Sequence, residues 1–340
     1  MPVHGSLLEI GRQRVATRFG MFEGVRFLDF ARGQVAWVLG TGDLVGPEPV
    51  LCRVHSSCLT SEVFGACDCD CAEQLAGALE TLAREGRGLL FYLLQEGRGA
   101  GFVAKARDRM MVQASGDRIH TFEAYERMGL PHDARTYTEV ASALDALGVS
   151  APLRLLTNNP DKVIGLERAK VRVAGTRPLR LRASPWNRHY LAAKFASGHE
   201  LHPPDGAGAA AIPEPVHERA ARLVPDLPNF AHVASYLLPL RRRTAEPAWY
   251  RCHTYFDLAR GIARVVLEHG TGRGMHHVQR QTLIERFPLA EPGTYQREWL
   301  EVREKIESDG AGRVLFLAPG EPEAPDPATL CLLDHDAADA

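Results

Sequence analysis

The sequence lacks the features that mark membrane, secreted and nucleic-acid-binding proteins. None of its apolar runs approaches the roughly 20 residues that a bilayer-spanning helix needs. The N-terminus has no basic segment followed by an apolar core, so no secretory signal is expected. The 40 Lys and Arg residues nearly balance the 42 Asp and Glu residues, which argues against bulk affinity for nucleic acid or acidic membranes. We expect a cytoplasmic protein, and 340 residues are enough for two domains.

Cysteine is infrequent in the chain but strongly clustered. Four of its seven cysteines are Cys58, Cys67, Cys69 and Cys71. Cys-x-Cys is too short for an easy internal disulfide, and a reducing compartment favours metal binding over disulfides. The two sulfurs of a Cys-x-Cys pair can share one zinc, and Cys58 can fold back as a third ligand. Three protein ligands would leave one coordination position open, as in a catalytic zinc site.

The first part of the chain alternates between strand-like and helix-like segments. Strands are predicted at residues 35–39, 50–54, 89–94 and 153–156, and helices at 72–85, 100–113, 138–147 and 161–169. This alternation predicts an α/β core.

A Pro-, Gly- and Ala-rich stretch at residues 203–215 predicts a linker between domains at 1–202 and 216–340. The second domain is predicted to be mostly helical. Helices are expected at residues 217–223, 231–240, 256–269 and 295–308, and short strands at 314–317 and 329–333.

Three polar turns in the first domain have ligand-binding chemistry. Residues 95–101 (QEGRGAG) follow a strand and open a helix, where backbone amides and Arg98 suit an anion. This turn matches neither the Walker loop nor the Rossmann fingerprint, and a purely structural turn is the alternative. Residues 155–162 place Thr157 and Lys162 at a strand's carboxyl end, although an Asx turn explains them too. Asp133 and Arg135 suit a base and a phosphate ligand, or a helix cap with a surface arginine.

Taken together, these motifs occur in an order that resembles GTP cyclohydrolase II. The resemblance runs from about residue 11 to about residue 201. The matching motifs are Arg53-Val54-His55-Ser56, Cys58-x10-Cys69-x-Cys71, Gln74-Leu75, residues 95–99, Asp133-x-Arg135, residues 156–160 and Asn187-x-His189-Tyr190-Leu191.

The resemblance implies a mixed sheet with flanking helices and one zinc ion per chain. The position of the cysteines relative to Gln74 in the family motif implies that Cys58, Cys69 and Cys71 are the zinc ligands. Cys67 then has no role as a ligand. In the family, water attacks C8 of the guanine of GTP, pyrophosphate and formate leave, and the diaminopyrimidine product enters riboflavin synthesis. Magnesium would accompany the triphosphate, and a homodimer is expected.

Further residues take their expected roles from the same resemblance. Asp133 matches the family's proposed general base, and Arg135 matches the arginine at the α-phosphate. Glu96 suits the N1 and N2 donors of guanine, because a carboxylate only accepts hydrogen bonds. The positions that match nucleotide contacts are Arg53, Val54, His55, Ser56, Gln74, Glu96, Gly97, Arg98, Thr121, Thr157 and Lys162.

The chain departs from the family pattern at three positions. Ser57 replaces a glutamate, and Asp68 replaces the arginine before Cys-Asp-Cys. The family's tyrosine on the helix after the Gly-rich turn is absent, and either Arg109 or Met110 stands there. Because neither side chain can replace a phenol, we expect ring opening to survive and formate release to be impaired or lost.

The sequence leaves four alternatives open. Tyr92, Tyr125 or Tyr137 could supply the missing phenol and complete the reaction. The protein could act on another purine nucleotide, or it could bind zinc and nucleotide without catalysis. The second domain could regulate, dimerise or cover the substrate.

Overall fold

The computed structural model describes residues 3–179, 183–201, 210–242, 244, 246–271, 274–280, 294–317 and 325–335. Within these residues the chain forms two β-sheets, one from each half. No helix in these ranges has both the length and the apolar character that crossing a bilayer requires.

The first half of the chain alternates strands and helices as predicted. Its elements are β1 (Val3–His4), β2 (Leu7–Thr17), β3 (Gly20–Asp29), β4 (Gln34–Thr41), β5 (Val50–Ser56), α1 (Leu59–Glu62), α2 (Cys71–Glu85), β6 (Gly88–Leu93), α3 (Gly101–Ala114), α4 (Thr121–Arg127), α5 (Thr138–Ala146), β7 (Leu153–Leu156), α6 (Pro160–Arg168), β8 (Val173–Arg177) and α7 (Arg188–Ala196). The eight predicted segments of this half are confirmed to within two residues at each end.

The first sheet carries the predicted site residues at one edge. Its strand order is β1-β2-β3-β4-β6-β5-β7-β8, and β6, β5, β7 and β8 run parallel. Because parallel strands share a direction, their carboxyl ends meet at the same edge of the sheet. Residues 57–58, 95–98 and 157–162 follow β5, β6 and β7 at that edge. The predicted α/β class is confirmed.

The second half forms a six-stranded sheet with few helices. Its elements are β9 (Arg222–Val224), β10 (Leu227–Leu240), β11 (Ala248–Asp257), β12 (Ile262–His269), β13 (Met275–Arg280), α8 (Thr294–Asp309), β14 (Gly312–Leu317) and α9 (Pro327–Leu330). The strand order is β13-β14-β12-β11-β10-β9, and all pairs are antiparallel except β13 with β14.

The prediction of a mostly helical second half is wrong for the described residues. The segments 231–240 and 256–269 are strands or strand ends, 217–223 contains no helix, and 329–333 is helical rather than extended. The helix at 295–308 and the strand at 314–317 are confirmed. The error at 231–240 has a physical cause, because β10 is buried along most of its length. A short, continuously apolar run has the same periodicity in a buried strand as in a buried helix.

The two halves share one hydrophobic cluster. Phe64, Ala106 and Met110 of the first half pack with residues of the second sheet, including Leu238 and Phe316. The Gln113 side chain donates to the Leu237 carbonyl and accepts from the Leu237 amide, both at 2.8 Å, which ties α3 to β10. The predicted linker 203–215 lies partly outside the described residues, and the division into domains at 1–202 and 216–340 stays a prediction.

Candidate active site

Three thiols converge where β5 ends and α2 begins. The Sγ atoms of Cys58, Cys69 and Cys71 all lie within 4.8 Å of one another, and Cys58 and Cys69 are 3.8 Å apart. Cys67 points elsewhere and donates from Sγ to the Pro239 carbonyl at 3.2 Å. Among the described residues, this is the one group of three His, Cys, Asp or Glu side chains with such spacing. A compact set of three soft thiolates fits a zinc ion.

A buried lysine adds positive charge beside this cluster. The Lys105 ammonium group lies 3.0 Å from the Cys58 sulfur and pairs with Glu96. Hydrogen bonds from the Cys69 and Cys71 thiols, together with Lys105, hold the pKa of Cys58 well below its usual value. A thiol with a lowered pKa exists as the thiolate that a metal requires.

The cluster opens into a cavity walled by both halves of the chain, here called the cysteine cavity. One face of α3 lines it with side chains at helical spacing, namely Lys105, Asp108, Arg109, Val112 and Gln113. Trp249 and Pro239 of the second sheet form another part of its wall, with Trp186. The Trp186 and Trp249 rings meet edge to face with centroids 5.9 Å apart.

Arg109 occupies the cavity-facing position on α3 and forms an ion pair with Asp68. Met110 instead lies in the hydrophobic cluster shared with the second sheet and is 1% exposed. Two of the departures from the family pattern therefore contact each other. Asp68 and Arg109 form one ion pair, and Asp68 directly precedes Cys69, one of the three clustered cysteines.

A second cavity, here called the cationic cavity, adjoins the first. Its basic lining residues are Arg53, Arg98, Arg135, Lys162 and Lys194. Asp133 and Asp161 are the carboxylates that line it. Five side chains line both cavities, namely Ser56, Cys71, Arg98, Arg135 and Tyr190. Such an excess of positive charge suits a polyphosphate chain that begins next to the cysteines.

The Gly-rich turn holds the Asp133 loop against the cavities. Arg98 adopts a left-handed backbone conformation (φ 54°), and its carbonyl accepts from the Ala134 amide at 2.9 Å. A Cβ atom at Gly99 would lie 2.9 Å from the Ala134 carbonyl carbon, so only glycine allows this approach. The turn thus positions Asp133 and Arg135 as well as its own side chains.

Asp133 and Arg135 form a bidentate pair. The Arg135 Nε atom donates to both Asp133 carboxylate oxygens at 2.8 and 3.1 Å. Burial opposes ionisation of Asp133, but the hydrogen bond and charge of Arg135 hold its pKa below the usual value. The aspartate is therefore ionised at neutral pH and its arginine partner is fixed at the junction of the two cavities.

The structure brings nearly all the predicted site residues to the two cavities. Those that line at least one cavity are Arg53, His55, Ser56, Cys58, Cys69, Cys71, Gln74, Glu96, Gly97, Arg98, Thr121, Asp133, Arg135, Thr157 and Lys162. Val54 is the exception, because its side chain packs in the core of the first sheet. Its carbonyl accepts from Lys162 Nζ at 2.7 Å, so it holds that lysine in place.

The three tyrosines proposed as replacement phenols have other partners. The Tyr92 hydroxyl donates to Glu62 at 2.6 Å, and the Tyr125 hydroxyl donates to the Gly97 carbonyl at 2.9 Å. Tyr137 packs in the core of the first sheet. Of these three, Tyr125 also lines the cysteine cavity, and Tyr190, predicted only as part of a motif, lines both cavities.

Sequence reasoning missed several cavity residues. Lys105 and Asp108 could have been predicted, because their spacing from Arg109 places all three residues on one side of the helix. Lys194 donates to Asp70 at 2.6 Å across 124 residues, and Trp249 reaches the cavity from the second sheet. No local pattern marks contacts between such distant parts of a chain.

Comparison with known proteins identifies a family to which the sequence of this chain is similar. A family profile described as GTP cyclohydrolase II matches residues 9–178. A GTP cyclohydrolase-2 of Pseudomonas putida (strain W619) is 44% identical over 193 residues, which are 56% of this chain and 92% of that protein. The riboflavin biosynthesis protein RibBA of Bacillus cytotoxicus is 42% identical over 186 residues, 54% of this chain and 46% of that protein. The chain belongs to the GTP cyclohydrolase II family of enzymes.

Proposed function

We propose that the protein is a zinc-dependent hydrolase that opens the imidazole ring of GTP at C8 and releases pyrophosphate. The observation that carries the proposal is the junction of the two cavities. Three clustered thiols line one cavity, five basic side chains line the other, and Arg135 and Cys71 line both. A purine nucleotide can thus place its base beside the cysteines and its phosphates among the cations.

The proposed roles follow from the positions of the side chains. Cys58, Cys69 and Cys71 would hold the zinc, which when bound supplies Lewis-acid activation of water near neutral pH. Arg135 would bind the α-phosphate, and Asp133 would accept a proton. Binding of magnesium with the triphosphate and assembly as a homodimer remain predictions of the family resemblance.

We further propose that the reaction stops at the formamidopyrimidine ribosyl phosphate. In this product C8 remains as a formyl group on the opened ring. Arg109, held by Asp68, faces the cysteine cavity where the family has its tyrosine. A guanidinium group is a cation that only donates hydrogen bonds, whereas a phenol is neutral and both donates and accepts them, so Arg109 cannot act as the phenol does.

The product distinguishes the partial reaction from the complete one. With GTP and zinc-loaded enzyme, we expect pyrophosphate to form without an equal amount of formate. Mass spectrometry should show a product that retains the formyl group. One formate per GTP consumed would refute the partial reaction and support the complete GTP cyclohydrolase II reaction, for which Tyr125 and Tyr190 are the candidate phenols because both line the cysteine cavity.

The paired departures at positions 68 and 109 give a second test. Arg109→Tyr alone leaves the Asp68 carboxylate without its partner, which costs about 3 kcal/mol for a largely buried pair. We expect the double variant Asp68→Arg/Arg109→Tyr to recover this stability and to gain formate release. Thermal unfolding and formate assays on the two single variants and the double variant measure both effects. Equal formate yields in wild type and double variant would contradict the assigned role of position 109.

We propose that the second half of the chain covers the substrate. Trp249 and Pro239 lie on the cysteine cavity wall, and the Cys67 amide donates to the Pro239 carbonyl at 2.9 Å. The second sheet therefore supports both the cavity and the loop that carries the zinc ligands. The family profile ends at residue 178, before these strands.

A further inference from the structure

The cysteine cavity contains a carboxylate with no assigned role. Asp108 is 7% exposed, and its Oδ1 atom is buried without a hydrogen-bond partner among the described residues. Its Oδ2 atom accepts from the Thr121 hydroxyl at 2.9 Å. A desolvated acceptor without a partner is costly, and in a binding cavity a ligand can supply the missing donor.

The Glu96 and Asp68 carboxylates of the cavity have basic partners, whereas the hydrogen-bond partner of Asp108 is a neutral hydroxyl. Both Glu96 oxygens already accept hydrogen bonds, one from Lys105 and one from the Leu59 amide at 2.7 Å. Asp68 is paired with Arg109 through Oδ2, and its Oδ1 atom, like Gln95 Oε1, is buried without a hydrogen-bond partner among the described residues. Burial raises the pKa of Asp108 to about 7, despite the nearby Thr121 hydroxyl. Its carboxylate therefore lacks the stabilisation that one or two further N–H donors would provide.

The position of Asp108 suits a contact with the base of a bound nucleotide. It lies on the cavity-facing side of α3, three residues from Lys105, which contacts Cys58. It also holds Thr121, a predicted nucleotide contact. In the family's Lys-x-Arg-x-Tyr run, Asp108 occupies the variable position before Arg109.

On the basis of the proposed function, we propose that Asp108 is a specificity-determining residue that accepts a hydrogen bond from guanine. Guanine presents N1–H and the 2-amino group as adjacent donors, whereas adenine has an acceptor at N1 and no 2-amino group. An unpartnered carboxylate oxygen would accept from the donors of guanine and would be repelled by the N1 acceptor of adenine. The Glu96 side chain then serves to hold Lys105 and the Leu59 amide rather than as the main reader of the base.

Equilibrium binding tests this assignment independently of turnover. The probe is the α,β-methylene analogue of GTP, titrated calorimetrically into zinc-loaded full-length protein, with the inosine analogue for comparison. Asp108→Asn turns an amide donor toward the donors of guanine, because the amide oxygen remains on the Thr121 hydroxyl. We expect its affinity for the guanosine analogue to fall roughly 10- to 100-fold. A loss on both analogues places the contact at N1–H, and a loss on the guanosine analogue alone places it at the 2-amino group.

The control is Asp117→Asn, the same chemical change at an exposed carboxylate that also borders the cavity. We expect it to leave both affinities within about twofold, since a solvated acceptor gains little from a ligand. Asp108→Ala is the second variant and should lose affinity as well, while zinc content and unfolding temperature confirm that both Asp108 variants fold. Unchanged affinities in folded Asp108 variants would overturn the assignment. Absence of GTP conversion by the wild type would instead overturn the proposed function.

Discussion

Cys69→Ser is expected to remove zinc from the protein and to abolish ring opening. Cys69 is one of the three clustered cysteines that are the candidate zinc ligands, and its sulfur is 3.8 Å from that of Cys58. A serine hydroxyl is not deprotonated at neutral pH and is a poor zinc ligand. Bound zinc measured by mass spectrometry should fall to near zero, and turnover should fall by at least roughly 100-fold.

Cys67→Ser is the matched control, because it makes the same change two residues away. The Cys67 thiol donates to the Pro239 carbonyl, and a serine hydroxyl can keep that bond. We expect full zinc content and near-normal turnover. Loss of zinc in the Cys67 variant with retention in the Cys69 variant would show that the ligand set is wrongly assigned.

A chain that ends at residue 201 is expected to misfold or aggregate. Removing the second sheet would expose Phe64, Ala106 and Met110, which are each at most 1% exposed in the whole protein. Contiguous apolar patches of this kind drive association. The Cys67 loop would also lose its hydrogen bonds to Pro239. Solubility, zinc content and thermal unfolding of the truncated chain measure these effects. A truncated chain that binds zinc and unfolds at the temperature of the whole protein would contradict this view.

Point substitutions in the full-length chain test the packing of the shared cluster without the effect of shortening the chain. Leu238→Lys places a charge in the shared cluster, where Leu238 is fully buried, and should cost about 3–5 kcal/mol of unfolding free energy. Leu223→Lys makes the same change on the same sheet at a residue that is 59% exposed. It should change the unfolding free energy by less than about 0.5 kcal/mol.

The sequence by itself determined the α/β core and the candidate zinc ligands. Their signals are local, because β7 (Leu153–Leu156) and α2 (Cys71–Glu85) each have the periodicity of one element between turn residues. The three candidate ligand cysteines lie within a short stretch whose spacing predicts metal binding.

Only the tertiary structure decided how these parts meet. Asp68 and Arg109 pair across 41 positions, and Trp249 reaches the cysteine cavity from a sheet formed by other parts of the chain. The helix predicted at 231–240 is part of β10, since burial along most of its length removes the alternation that marks a strand. Ion pairs, cavity walls and doubly covered strands depend on which elements pack together, and that choice is made by the whole chain rather than by any local pattern.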